Sequence, residues 1–199
     1  RNTSLMPTKS AIAGMCCAAL GHPRGSSEEQ EFLTKFRIVR MTAIAIPRIR
    51  VKTDPHMVNA PGVPHMRGDE PKELPVRRLQ DYHTVQNTKT ADGKNKDCHI
   101  THRQYLTDAS FGVLLEGEAS LLGEIATALA DPKWGIWLGR KTCIPSAPVF
   151  AGMKENRDDA LRLLIGEKPL ESFTRQEEVE TFSEGRDTLP DAPVSFAIE

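Results

Sequence analysis

DPKWGIWLGRKTCIPSAPVF, residues 131–150, holds both tryptophans of the chain, and its reading decides how the rest is arranged. Trp134, Ile136 and Leu138 alternate with Gly135, Trp137 and Gly139. A period of two puts bulky apolar side chains on both faces, which predicts a core strand at 134–138 inside a sheet. The chain then leaves the core at Gly139 and presents Arg140 and Lys141 in a turn stiffened by Pro145 and Pro148. Two cations beside a glycine suit a phosphate backbone. On spacing alone, a core strand followed by a solvated basic turn is the simpler reading.

At 199 residues the chain makes one large domain or two small ones, with room for a real core. Its 39% hydrophobic and 27% charged content is that of a soluble protein, expected in the cytoplasm. No run approaches the roughly 18 apolar residues of a membrane span. The apolar N-terminal patch lacks the order of a signal peptide. Cys16 and Cys17 are adjacent, with Cys98 and Cys143 far off, a pattern of reduced thiols rather than of a disulfide framework. Residues 150–199 carry twelve acidic against six basic residues, leaving fifteen against twenty in residues 1–149. A mildly basic body with an acidic end leaves room for a polyanion site on the body.

Residues 5–20 read as a helix, with Pro7 in the first turn and Thr3 or Ser4 as cap. Ile12, Met15, Cys16, Ala19 and Leu20 form its buried stripe, and Ala11, Gly14 and Ala18 a second, small face. Gly21 and Pro23 stop it. Thr8, Lys9 and Ser10 fall in the first turn, where free N–H groups and the macrodipole favour anions. Simple capping beside an exposed lysine is the plainer alternative. Residues 36–51 read as an edge strand interrupted at Pro47, with Arg37, Arg40, Arg48 and Arg50 on its solvent face.

Five prolines over 53–79 predict a long loop, in which Arg67-Gly68-Asp69 matches an adhesion tripeptide by chance. Residues 81–105 predict a projecting hairpin turning at Asp92-Gly93 among Lys89, Lys94 and Lys96. A symmetric turn would set Tyr82 against Arg103, His83 against His102, Thr84 against Thr101 and Val85 against Ile100. A strand follows at 109–116 and a helix at 119–131, with Leu121, Leu122, Ile125, Ala128 and Leu129 inward. A short helix is expected at 157–165, and Val194, Phe196 and Ile198 begin another strand.

Helix, strand, long insert, strand, helix, strand is an α+β order. One strand upstream of Arg1 would complete βαββαβ, the ferredoxin-like topology of RNA-recognition modules. Residues 1–152 are then the body, with the hairpin as a protruding thumb, and 153–199 a C-terminal extension that stops in mid-pattern.

The segments PTKSAIAGMCCAALG (7–21), DYHTV (81–85), THRQYLTDASFGV (101–113) and WGIWLGRKTCIPSAPVFAG (134–152) together resemble one family. They are similar to the CasD-type subunits of type I-E CRISPR Cascade, within the RAMP superfamily of RNA-binding proteins. The resemblance covers most of residues 1–152 and weakens beyond. It implies a non-catalytic subunit, without metal or cofactor, that grips and caps the 5′ handle of the crRNA. Implied partners are the adjacent Cascade backbone subunit, the large PAM-reading subunit and, indirectly, target DNA, with no membrane. Carried over, 81–105 is the thumb and its base, with Tyr82, His83 and Arg103 toward RNA. Thr8, Lys9 and Ser10 open the first helix beneath the handle, and Arg140 and Lys141 form an RNA-facing turn. The family also has an opening strand before Arg1 and an Arg- and Tyr-rich closing strand, both absent here. Some relatives carry a fused nuclease.

The hairpin residues also offer two other chemistries. His83 and His102, with Tyr82 and Tyr105, are the residue types of a metal-free ribonuclease that acts through the RNA 2′-hydroxyl. The type I-C counterpart of this family does cleave CRISPR RNA. His83, Cys98, His99 and His102 suit zinc in type but lack the C-x₂-C spacing of structural sites. No P-loop, dinucleotide fingerprint or nucleophile elbow is present. The acidic stretch 177–191 is either solvated or faces a basic neighbour.

Overall fold

In chain order the elements are helices α1 (Lys9–Leu20) and α2 (Ser27–Phe36), then strands β1 (Arg40–Ala45), β2 (Arg48–Arg50), β3 (Lys72–Leu74), β4 (Arg77–Lys89), β5 (Asn95–Thr107) and β6 (Phe111–Glu116). Helices α3 (Ala119–Ala130) and α4 (Arg157–Ile165) and strand β7 (Arg175–Glu177) complete them. The computed structural model describes residues 3–50, 72–179, 181–185 and 193–197. Helices mix with antiparallel sheets, as the sequence predicts. The chain divides into two units, Met6–Ala45 with Phe111–Glu199, and Arg1–Leu5 with Ile46–Ser110.

The larger unit is built on α1. Thr8 stands in extended conformation and its hydroxyl accepts from the Ala11 N–H at 3.3 Å, so the helix starts at Lys9 rather than residue 5. Pro7 lies just outside. Gly21 ends the helix in the left-handed region at φ 75°, where its own N–H and that of His22 reach the Ala18 and Cys17 carbonyls. A Cβ there would also come within 2.7 Å of the Lys133 side chain, whose backbone N–H donates to Ala19. The left-handed backbone is what calls for glycine here.

Both sides of α1 are covered. Ala13, Cys16, Cys17 and Leu20 pack with Phe32, Leu33, Phe36, Val39, Leu121 and Ile125 into one core cluster. The expected inward residues of α3 are all in or against it, Leu122, Ala128 and Leu129 at its margin.

Helix α2 corrects the expectation of a strand beginning at 36, for Phe36 is its last residue. Ser26, with Glu29 three residues on, supplies the start signal, and the Ser26 hydroxyl accepts from the Glu29 N–H at 3.2 Å. Strand β1 therefore begins at Arg40, past Arg37, and breaks at Pro47 as expected, with β2 following; it is not the expected edge strand but the centre of its sheet, paired on both sides.

The sheet of this unit has the order β6-β1-β7, antiparallel throughout. Ala43 and Ile44 of β1 are fully buried. Arg157, at the start of α4, forms ion pairs with Glu116 at the end of β6 and with Glu177 of β7. It thereby fastens the helix across both sheet edges.

Two expected strands do not form. Residues 134–138 are irregular, and Trp134 is 46% exposed. The backbone here closes on itself instead of on a neighbouring strand: Leu138 N–H reaches the Cys143 carbonyl and Cys143 N–H the Arg140 carbonyl, each at 2.8 Å. Trp137 folds back so far that a Cβ on Gly135 would sit 2.8 Å from its ring. Alternation here served a folded loop, not a ladder. Residues 193–197 are also irregular. Phe196 lies over the small face of α1, 3.5 Å from where a Gly14 Cβ would stand, held by bonds to Glu29 instead of a strand partner. Ile198 lies outside the described residues.

The smaller unit holds β2 paired with β3, with Arg48 ion-paired to Asp108, and the hairpin of β4 and β5. Strand β3 and the start of β4 occupy part of the expected 53–79 loop, because Lys72–Leu74 finds β2 as a partner. The rest of that loop, with Arg67-Gly68-Asp69, lies outside the described residues. The hairpin is longer than the expected 81–105, two strands of 13 residues.

Candidate nucleic-acid interface

The hairpin turn sets everything above it. Gly93 N–H donates to the Thr90 carbonyl and Thr90 N–H to the Lys94 carbonyl, both at 2.9 Å, with Gly93 at φ 81°. This is a three-residue Ala91-Asp92-Gly93 loop ending in a left-handed glycine, not a two-residue Asp-Gly turn. Hydrogen bonds from Thr90 and Lys94 hold the Asp92 carboxyl below its usual range. Every residue from 91 to 100 is exposed.

One extra loop residue slips the register by one from the expected pairing. Tyr82 faces His102, His83 faces Thr101, Thr84 faces Ile100 and Val85 faces His99. A slip of one changes which residues share a face. Asp81, His83, Thr101 and Arg103 now lie on one side, with His83 Nε2 2.7 Å from Asp81 Oδ2 and Arg103 directly across from Asp81. Tyr82 and His102 share the other side, and Tyr82 is 66% exposed. His83 and His102, the pair a ribonuclease reading needs together, are on opposite faces. The four residues of the zinc reading split likewise, Cys98 with His102 and His83 with His99. Among the described residues no group of three or more His, Cys, Asp or Glu could hold a metal ion.

In the larger unit, the start of α1 brings Thr8, Lys9 and Ser10 together, with the Thr8 and Ser10 hydroxyls 3.1 Å apart. Lys9 is not the exposed lysine of a plain cap; it is 8% exposed. Its Nζ donates to both Glu178 carboxylate oxygens, at 2.7 and 2.9 Å, and to the Arg37 carbonyl at 2.9 Å. The loop 138–143 presents Arg140 half-buried and Lys141 exposed, with Lys141 Nζ 5.7 Å from the Trp137 ring centre. The turn thus remains a basic surface although the strand beneath it is absent.

Sequence reasoning missed His102 as the neighbour of Tyr82, because it assumed a two-residue turn. The signal that carried it was Ala91 preceding Asp92-Gly93. It also missed Glu178 as the partner of Lys9, a contact across 169 positions that no local pattern announces.

Among the described residues no helix is long and apolar enough to cross a membrane. A family model described as "CRISPR-associated protein (Cas_Cas5)" matches residues 1–198. The chain is 25% identical over 199 residues to the CRISPR system Cascade subunit CasD of Escherichia coli (strain K12), covering 98% of this chain and 79% of that one. It is similar to a solved chain of a CRISPR RNA-guided surveillance complex, with TM-score 0.50 and 28% identity over 75% of this chain. A second solved Cas protein aligns with TM-score 0.46, 26% identity and 81% coverage of this chain. The chain spans 52% and 58% of those two solved chains, little more than half their length. With the family model matched along almost its whole length, the chain belongs to the Cas5 family of CRISPR-associated proteins.

Proposed function

We propose that this chain is a non-catalytic, RNA-holding subunit of a type I-E CRISPR surveillance complex, seated on the 5′ handle of the crRNA. Its body is a ferredoxin-like RNA-binding fold and the β4–β5 hairpin is its thumb. The carrying observation is the family match over residues 1–198, joined to likeness to a Cascade subunit along 98% of the chain. The basic surfaces fit this role. Arg140 and Lys141 lie on a loop closed by its own backbone bonds, and Ser10 and Thr8 open a helix N-terminus, so phosphates meet groups already positioned. Lys9 holds α1 to Glu178 and leaves the phosphates to its neighbours. The thumb adds base or ribose contacts. The backbone subunit and the large PAM-reading subunit adjoin it, target DNA is reached through them, and the complex works in the cytoplasm.

The split of His83 and His102 to opposite hairpin faces supports the non-catalytic reading over handle processing. The test is co-expression with the other subunits and a CRISPR array. The purified complex is expected to contain this chain with intact crRNA, and the chain alone to leave repeat RNA uncut. Assembly at full yield without RNA, or cleavage lost in His83→Ala, would overturn the proposal.

A further inference from the structure

We infer that Tyr82 and His102 form a two-residue stacking platform for unpaired RNA bases on one face of the thumb hairpin. The inference rests on the RNA-binding reading above, and the register supplies the rest. Directly opposed side chains on an antiparallel pair stand about 5 Å apart, so a phenol ring and an imidazole ring share one surface. Tyr82 is 66% exposed, His102 is exposed too, and among the described residues neither side chain has a hydrogen-bond or ion-pair partner. Thr84 and Ile100 make the next pair on the same face, also exposed.

The opposite face is differently made. There His83 Nε2 lies 2.7 Å from Asp81 Oδ2, Arg103 stands across from Asp81, and His99 Nδ1 lies 3.2 Å from Lys96 Nζ. The rings of that face, His83 and His99, thus each meet a charged neighbour, whereas those of Tyr82 and His102 do not. Single-stranded RNA is bound by such surfaces, because splayed bases stack on aromatic and imidazole planes while cations track the backbone. Charge favours that occupant over a protein partner. Residues 77–107 carry six Lys and Arg against three Asp, and Lys89, Lys94 and Lys96 crowd the tip. One of the three acids, Asp92, is already paired with Lys94.

The experiment measures binding of the full chain to a fluorescent single-stranded RNA of the handle sequence, beside the same RNA with abasic positions. Tyr82→Ala and His102→Ala are each expected to weaken binding roughly tenfold, with the double variant losing less than the product. Tyr82→Phe keeps a ring and should bind like wild type, as should Val85→Thr on the other face. The alanine losses should vanish on abasic RNA. Wild-type affinity in both alanine variants, with wild type still binding RNA, overturns the platform and leaves the RNA reading standing. No binding by wild type overturns both. Loss of a protein subunit from the complex, with RNA affinity unchanged, would assign this face to protein and also overturn the platform.

Discussion

Lys9 Nζ lies 2.7 Å from Glu178 Oε1, so a lysine at the start of α1 is fixed by a carboxylate just past β7. Glu178 exchanges further bonds with Met41: its Oε2 accepts the Met41 N–H and its own N–H donates to the Met41 carbonyl, both at 3.1 Å. Helix, central strand and edge strand meet at this one ion pair. Lys9→Met is expected to destabilise the fold by about 1–3 kcal/mol, since Glu178 loses its partner but is itself partly hydrated. Urea denaturation reads that loss. The folded variant should keep the wild-type dependence of RNA affinity on salt. A salt slope reduced by about 0.7 would instead make Lys9 a phosphate ligand.

Glu29 is completely buried, and its Oε2 accepts from Gly25 N–H at 2.8 Å, the Ser195 hydroxyl at 3.0 Å and Phe196 N–H at 3.2 Å. Its other oxygen has no hydrogen-bond partner among the described residues. Glu29→Ala strands several donors, so a loss of about 2–4 kcal/mol is expected. Hydrogen exchange at the Phe196 amide should accelerate with it. Unchanged exchange at Phe196 would show that the C-terminal segment is held by its ring alone.

How much of this was legible in the sequence depended on range. Helix α3, helix α4 and the Pro47 break follow from local pattern, and each stands where expected. The Trp134–Leu138 alternation misled because period two describes a strand only when a partner strand is present, and here the backbone found its bonds within six residues. The hairpin was legible as a hairpin, but its faces were not: they depend on one loop residue. Helix α2 had its capping signal in Ser26 and Glu29, hidden by the more conspicuous apolar run that follows. The Lys9–Glu178 pair is purely tertiary.

Cys16 and Cys17 are buried, and burial pushes both thiols up to about 12, aided by the Cys17 and Glu29 charges respectively. At neutral pH the exposed Cys98 should react with a thiol reagent in the native protein, while Cys16 and Cys17 react only on denaturation. The sign of the pH effect follows. Between about 9 and 12 the unfolded chain has lost these protons and the folded chain keeps them, so stability falls as pH rises. Each thiol contributes about 1.4 kcal/mol per pH unit in that window. A Cys16→Ala, Cys17→Ala variant should show a flatter alkaline limb in chemical denaturation. Identical limbs would contradict the burial of the pair.

Arg140→Ala and Lys141→Ala probe the loop at 138–143. The bonds that close this loop are backbone bonds, so both variants should fold, exposed Lys141→Ala within about 0.5 kcal/mol of wild type and half-buried Arg140→Ala within about 1 kcal/mol. Affinity for handle RNA should nevertheless drop uniformly across sequences, and each variant should lower the salt slope by about 0.7, the value for one single-strand phosphate contact. Calorimetric stability beside filter binding separates the two effects. Folded variants with unaltered affinity would return the turn to solvent.

The most direct test of RNA holding is the affinity of the purified chain for 5′-handle RNA, measured as log Kd against log salt concentration. Three or four phosphate contacts predict a steep line with a slope of roughly 2–3, and an affinity that collapses between low and physiological salt. A flat line, or no binding in low salt by a folded chain that still enters the complex, would contradict it.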